Sequence, residues 1–181
     1  MQLQNITEGA ARALLGNVCF SKATLAKDAT TASGFQTTGV ISYTIDGSFK
    51  TKAAITRALG GVYSTGHDSV LAGYSCIFAY CLDAAGNIAT FQGQPFKAEG
   101  DKFRGYKPLR SADGVVTGYQ QELALVEKNC VFAPSIPAGY IVFGLGKIAA
   151  TAVFAPGTTN HDTGNTATFT DVMAIPANTN L

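Results

Sequence analysis

Beyond Phe35 the apolar positions fall into short runs or alternate with polar ones, and turns carrying Gly, Pro, Asn or Asp interrupt them at short intervals. Alternation at period two sends successive side chains to opposite faces of a strand. Short strands between frequent turns are the pattern of an antiparallel sandwich or barrel. The expected fold is therefore all-β: an antiparallel β-sandwich or barrel-like domain over residues 31–181, preceded by a helix or arm within residues 1–30.

Within that first stretch, Asn5 to Asn17 reads as one short helix. Asn5 supplies a cap with Glu8 three residues on, Ala and Leu fill the body, and Gly16 or Asn17 supplies the left-handed stop. A helix of about ten residues is marginal alone and must pack on something. Ala10, Ala11, Leu14 and Leu15 form its apolar side.

Two hairpins stand out. In Val40 to Thr51 a three-residue Ile45-Asp46-Gly47 loop pairs Tyr43 with Phe49, and this register is preferred to a two-residue Asp46-Gly47 loop because it joins the aromatics across the strands. In Cys76 to Phe91 a left-handed Gly86 pairs Asp83 with Asn87, Leu82 with Ile88 and Tyr80 with Thr90. The first strand of this second hairpin is apolar on both faces, which calls for cover on both sides, by a second sheet or a partner molecule. Further strands are expected at Glu122 to Val126, Cys130 to Ala133, Tyr140 to Ile148, Thr151 to Phe154 and Thr166 to Val172. Residues 51–59 fit helix or strand equally, and Lys97 to Arg110, with its Gly and Pro residues, reads as an exposed loop.

Composition narrows the class. Hydrophobic residues make up 46% and charged residues 14% of the 181, and the chain is rich in small residues, 20 Gly among them. That is too apolar for disorder. A net charge of +1 gives no electrostatic reason to expect nucleic acid or an acidic membrane as partner, and little repulsion between copies. The first residues show no basic and apolar leader, so no export signal is expected, and the charge-free stretch from Asn129 to Gly146 is too broken by Pro and Gly to span a membrane.

Candidate chemistry is sparse. Cys19, Cys76, Cys81 and Cys130 show no metal-ligand spacing and are expected as reduced, buried thiols. His67-Asp68-Ser69 and His161-Asp162 offer the residue types of a catalytic triad or a metal site, but neighbours in a loop rarely face one another, and both histidines are read as polar turn residues. Gly144-Leu145-Gly146 imitates a dinucleotide loop, but β-like sequence follows where a helix is required, so its glycines are assigned to strand bends or bulges. Lys97, Lys102, Arg104, Lys107 and Arg110, interleaved with Phe103 and Tyr106, could meet solvent, the acidic surface of another protein or a single nucleic-acid strand.

The turn motifs carry a resemblance. Thr37-Thr38-Gly39, the hairpin ending Phe49-Lys50-Thr51-Lys52, Leu82-Asp83-Ala84-Ala85-Gly86-Asn87, Ile136-Pro137-Ala138-Gly139-Tyr140, Phe154-Ala155-Pro156-Gly157 and Thr166 to Val172 together resemble the capsid decoration, or cement, proteins of tailed bacteriophages. The likeness covers roughly residues 30 to 181. Turn motifs hold no catalytic residues, so none is transferred. The resemblance implies a structural protein without cofactor or enzymatic activity, made in the bacterial cytoplasm and bound in many copies to the outside of the shell built by the major capsid protein. It also implies a homo-oligomer, a trimer by preference, because capsid lattices offer local threefold positions. Contact with the shell is expected from Ala10, Ala11, Leu14 and Leu15 and from Lys102, Arg104 and Lys107. The alternative is a virion-associated carbohydrate-binding module for host attachment, in which loop aromatics stack on sugars. An enzyme ranks third.

Overall fold

The structure is a computed structural model in which residues 16–173 are described apart from 30–32, 57, 59–60, 100–101 and 128–131, and apart from the side chains of 122–127. The expected helix with Ala10, Ala11, Leu14 and Leu15 lies outside the described residues, save for its last two positions, Gly16 and Asn17; Gly16 has a left-handed φ of 48°.

Twelve strands are described: β1 (Val18–Cys19), β2 (Leu25–Lys27), β3 (Phe35–Thr37), β4 (Ile41–Ile45), β5 (Ser48–Lys52), β6 (Ser75–Asp83), β7 (Ile88–Gln92), β8 (Phe96–Glu99), β9 (Lys102–Arg110), β10 (Val116–Glu127), β11 (Tyr140–Ala150) and β12 (Asn165–Asp171). They form a three-stranded sheet β1-β4-β5, a two-stranded sheet β2-β3, and a large sheet in the order β10-β9-β8-β6-β11-β12 with β7 also on β6. All pairings within these sheets are antiparallel. The fold class expected from alternation is the one found. β1 and β2 are part of it, so the described residues of the first thirty belong to the β domain.

The core lies between the two larger sheets. Ile41, Tyr43 and Ile45 of β4 face Phe78, Tyr80 and Leu82 of β6 and Ile141, Phe143 and Ile148 of β11. Each such side chain contributes about 1.5–3 kcal/mol on removal from water. Tyr80 enters because β11 has no side chain at Gly146: a Cβ there would sit 2.8 Å from the Tyr80 hydroxyl oxygen. β11 shifts register between Val142 and Gly144, so the glycine pair does mark a bulge and a close approach. β6 is buried on both faces through Phe78 to Leu82.

The second hairpin has the expected register, Leu82 on Ile88 and Tyr80 on Thr90, with Gly86 at φ 81°. The first does not. Ile45 pairs with Ser48, Thr44 with Phe49 and Tyr43 with Lys50, across a two-residue Asp46-Gly47 turn. Both turn residues have positive φ, 50° and 71°, the geometry whose twist matches the flanking strands. Turn backbone outweighed aromatic pairing, and the single-residue slip sends Phe49 to the opposite face from Tyr43.

Three other expectations are corrected. Lys97 to Arg110 is no loop: it supplies most of β8 and β9, which pair with one another from Phe96 on Gly105 to Glu99 on Lys102. Aromatic packing on both faces, Phe96 with Phe103 on one and Tyr106 with Tyr74 on the other, and two hydrogen-bonded neighbours outweigh the poor strand propensity of Lys and Gly. Pro108 is tolerated because β8 reaches only to Gly105, leaving β9 an edge there. Thr151 to Phe154 is not a strand, since the amides of Thr151 and Ala152 both turn to the Gly164 carbonyl and only Phe154 forms a bridge, with Val70. The described end of the Cys130 to Ala133 segment, Phe132 and Ala133, is not strand either.

Candidate functional site

The two histidines sit on either side of Tyr63. His161 is 1% exposed, and its Nε2 lies 2.9 Å from the Tyr63 hydroxyl, which in turn is 2.8 Å from that of Tyr80. Phe154 and Phe169 close around the same imidazole. His161 lies in a turn, as read, but the turn folds inward onto an aromatic core, which its polar neighbours in sequence do not reveal. His67 is half-buried, its Nε2 2.7 Å from Thr90 Oγ1 and its ring edge-on to Phe78. Burial lowers its pKa, partly offset by the nearby Asp68 carboxylate, and burial raises the Tyr63 and Tyr80 hydroxyls. Neutral imidazole and un-ionised phenols are the forms this packing favours.

No triad assembles from His67, Asp68 and Ser69. The Asp68 carboxylate receives both terminal nitrogens of Arg110, and its backbone amide and carbonyl are held by the Gln92 side chain. The Ser69 carbonyl accepts from the Tyr119 hydroxyl. Each residue of this segment is fastened to the large sheet, as a strap. Asp162 pairs instead with Lys27. Among the described residues no group of three or more His, Cys, Asp or Glu could hold a metal ion. Cys19, Cys76 and Cys81 are buried and unpaired with one another, and burial pushes the thiols of Cys76 and Cys81 up to about 12. Cys130 lies outside the described residues.

The basic stretch is divided by its own strand. Alternation along β9 puts Lys102 and Arg104 on one face and Lys107 on the other. Arg104 is committed to a two-pronged ion pair with Glu99, at 2.6 and 2.7 Å, Lys97 lies 4.3 Å over the Tyr74 ring, and Arg110 is spent on Asp68. Lys102 and Lys107 are exposed and, among the described residues, have no ion-pair partner. The expected patch of Lys102, Arg104 and Lys107 is thus two separate cations and one neutralised one. Beside it, a cleft of about 360 Å³ is lined by Asp68, Gln92, Gln94, Tyr106 and Lys107. Tyr106 is only 9% exposed there and stands edge-on to Tyr74, so it offers no free face for a sugar ring.

The surface that stands out is the outer face of β1-β4-β5. Tyr43 and Ile45 point inward, so Thr44 and its direct partners Val18 and Phe49 point out, joined by Ser42, Val40 and Phe20. None of these residues carries a charge. Phe49 is 67% exposed, the only exposed aromatic among the described residues, and touches Phe20 at a ring distance of 6.4 Å. The signal was legible in the sequence only through the turn: with Asp46-Gly47 as a two-residue loop, Phe49 must face outward.

No protein-family model matches the chain, and no match was found to a curated protein or to a solved structure. No helix of the described residues is long and apolar enough to cross a membrane.

Proposed function

We propose that the chain is a structural docking protein, a decoration protein that binds the outer surface of the shell formed by a major capsid protein and stabilises it as a homo-oligomer. The observation that carries this reading is the uncharged outer face of β1-β4-β5 with its exposed Phe49, a surface of the kind found at the centre of interfaces. The resemblance of the turn motifs to decoration proteins agrees with it. The histidines add support from the other side, since both make structural hydrogen bonds beside the aromatic core. In this reading the apolar side of the N-terminal segment, Ala10, Ala11, Leu14 and Leu15, reaches across a neighbouring subunit, and the exposed Lys102 and Lys107 meet acidic surface of the shell.

The test adds purified protein to undecorated, expanded tailed-phage capsids and counts bound copies. Saturation at a fixed number of copies per shell, with a rise in heat or chelator resistance, is the expected result. Absence of binding, or binding without any gain in resistance, overturns the reading.

A further inference from the structure

We infer that the cleft between β2 and β12 is a binding site for a neutral sugar ring, a hexopyranose either free or at the end of a glycan. The inference goes beyond the proposed docking role and does not rest on it.

The two strands belong to different sheets, and side chains tie them together at both ends of β2. At one end the Leu25 amide donates to Asp171 Oδ1 at 2.9 Å; at the other Lys27 Nζ meets Asp162 Oδ2 at 2.5 Å. Between the ties lies a cleft of about 470 Å³, with Leu25, Lys27, His161, Asp162, Asn165 and Phe169 in its walls. That is within the about 300–1,000 Å³ of small-molecule sites. Walls fixed in this way lose little freedom when a ligand enters.

Asn165 carries the inference. Its Nδ2 donates to the Thr163 carbonyl at 2.9 Å and reaches that of Asn160 at 3.5 Å, so exchanging the amide nitrogen and oxygen would set oxygen against oxygen. Its Oδ1 is buried and, among the described residues, has no hydrogen-bond partner. A buried acceptor left unserved is costly, so a ligand hydroxyl that reaches it gains more than one exchanged against bulk water. The terminal torsion of Asn is soft, and a small turn brings Oδ1 to a hydroxyl set in the cleft. The remaining walls decide what carries that hydroxyl. Lys27 and Asp162 neutralise one another, so the cleft does not select an ion. Beyond their mutual bond the ammonium keeps N–H donors and the carboxylate keeps lone pairs for further hydroxyls. Phe169, partly exposed, and Leu25 supply apolar wall. A neutral ring with C–H groups on its faces and hydroxyls around its rim matches this set, and that is a pyranose.

The test titrates the full ¹⁵N-labelled chain with the methyl pyranosides of glucose, galactose, mannose and N-acetylglucosamine and follows amide and Asn side-chain signals by NMR. Saturable shifts from at least one of them in the millimolar range are expected, concentrated on Lys27, Asp162, Ala167 and the Asn165 side-chain amide. A trisaccharide ending in the same ring, binding as well as the glycoside, identifies a glycan end as the ligand; weaker binding identifies the free sugar. No response to any pyranoside, which leaves Asn165 served by a buried water only, overturns the inference, as do shifts centred elsewhere. An equal response to the open-chain polyol sorbitol, or a response to sodium acetate instead, also overturns it, since neither presents a neutral ring. Asn165→Ala should weaken binding about tenfold, the equivalent of one hydrogen bond to a buried group. Because that variant also frees the turn at Thr163, Lys27→Met, altered only at the exposed rim, is measured beside it and should weaken binding several-fold; unchanged affinity in both overturns the inference.

Discussion

At the scale of single residues, buried polar groups give the sharpest expectations. Burial lowers the pKa of His67 below the ordinary 6.5, so the fold favours its neutral form. The unfolded chain takes up the proton first, so it binds more protons than the native state as pH falls through 6.5, and stability falls with it. Calorimetric melting between pH 7.5 and 5 should therefore show a decline in Tm, and His67→Gln should flatten the part due to this residue; an unchanged slope in the variant contradicts the assignment. Tyr63 joins His161 to Tyr80, and Tyr63→Phe leaves both without that shared hydroxyl inside the core. Denaturant unfolding should register a loss of about 1–3 kcal/mol. For the thiols, burial holds Cys76 and Cys81 near 12, so a thiol reagent at neutral pH should label these two and Cys19 slowly in the native protein, and should count four thiols once it is unfolded.

Among the elements, β11 depends on what it lacks. Gly146 passes under the Tyr80 ring, where a methyl group would meet ring carbon and hydroxyl oxygen inside 3 Å. Gly146→Ala should cost about 1–3 kcal/mol through overpacking, read as a lower denaturant midpoint. If midpoint and slope are both unchanged, the Tyr80 ring does not lie this closely over the neighbouring strand β11. The β8-β9 hairpin illustrates the opposite case, an element that composition concealed. Its lysines and glycine read as loop, yet Phe96 and Phe103 on one face and the Lys97, Tyr74 and Tyr106 cluster on the other hold it in place. Those contacts join residues of different strands, and no local pattern announces them.

For the whole molecule, the proposed docking role predicts two contributions that differ in their response to salt. Lys102 and Lys107 are exposed, so any contribution they make to docking is screened over about 8–10 Å near physiological ionic strength, whereas apolar contact persists. Binding to capsids in rising salt should fall only partway, and Lys102→Ser with Lys107→Ser should bring the low-salt affinity down to the high-salt level. A salt response identical in the double variant would remove the lysines from the interface. Arg104 belongs to a separate expectation: already neutralised by Glu99, its replacement should leave docking unaltered.

What the sequence determined by itself was whatever depends on neighbours along the chain. Period-two alternation specified an all-β fold, Gly86 specified the register of the second hairpin, and Gly144 and Gly146 were legible as a bend in a strand, because a turn or bulge is a property of a few consecutive dihedrals. Tertiary structure alone decided the rest. The inward rotation of the His161 turn, the division of the basic residues between two faces of β9, and the outward Phe49 all depend on which distant strand lies alongside. In the first hairpin two local rules competed, a left-handed two-residue turn against an aromatic pair, and the turn prevailed because its twist is the twist of the sheet it joins. The outer face of β1-β4-β5 exists only through that outcome, since one residue of slip exchanges the two faces of a strand.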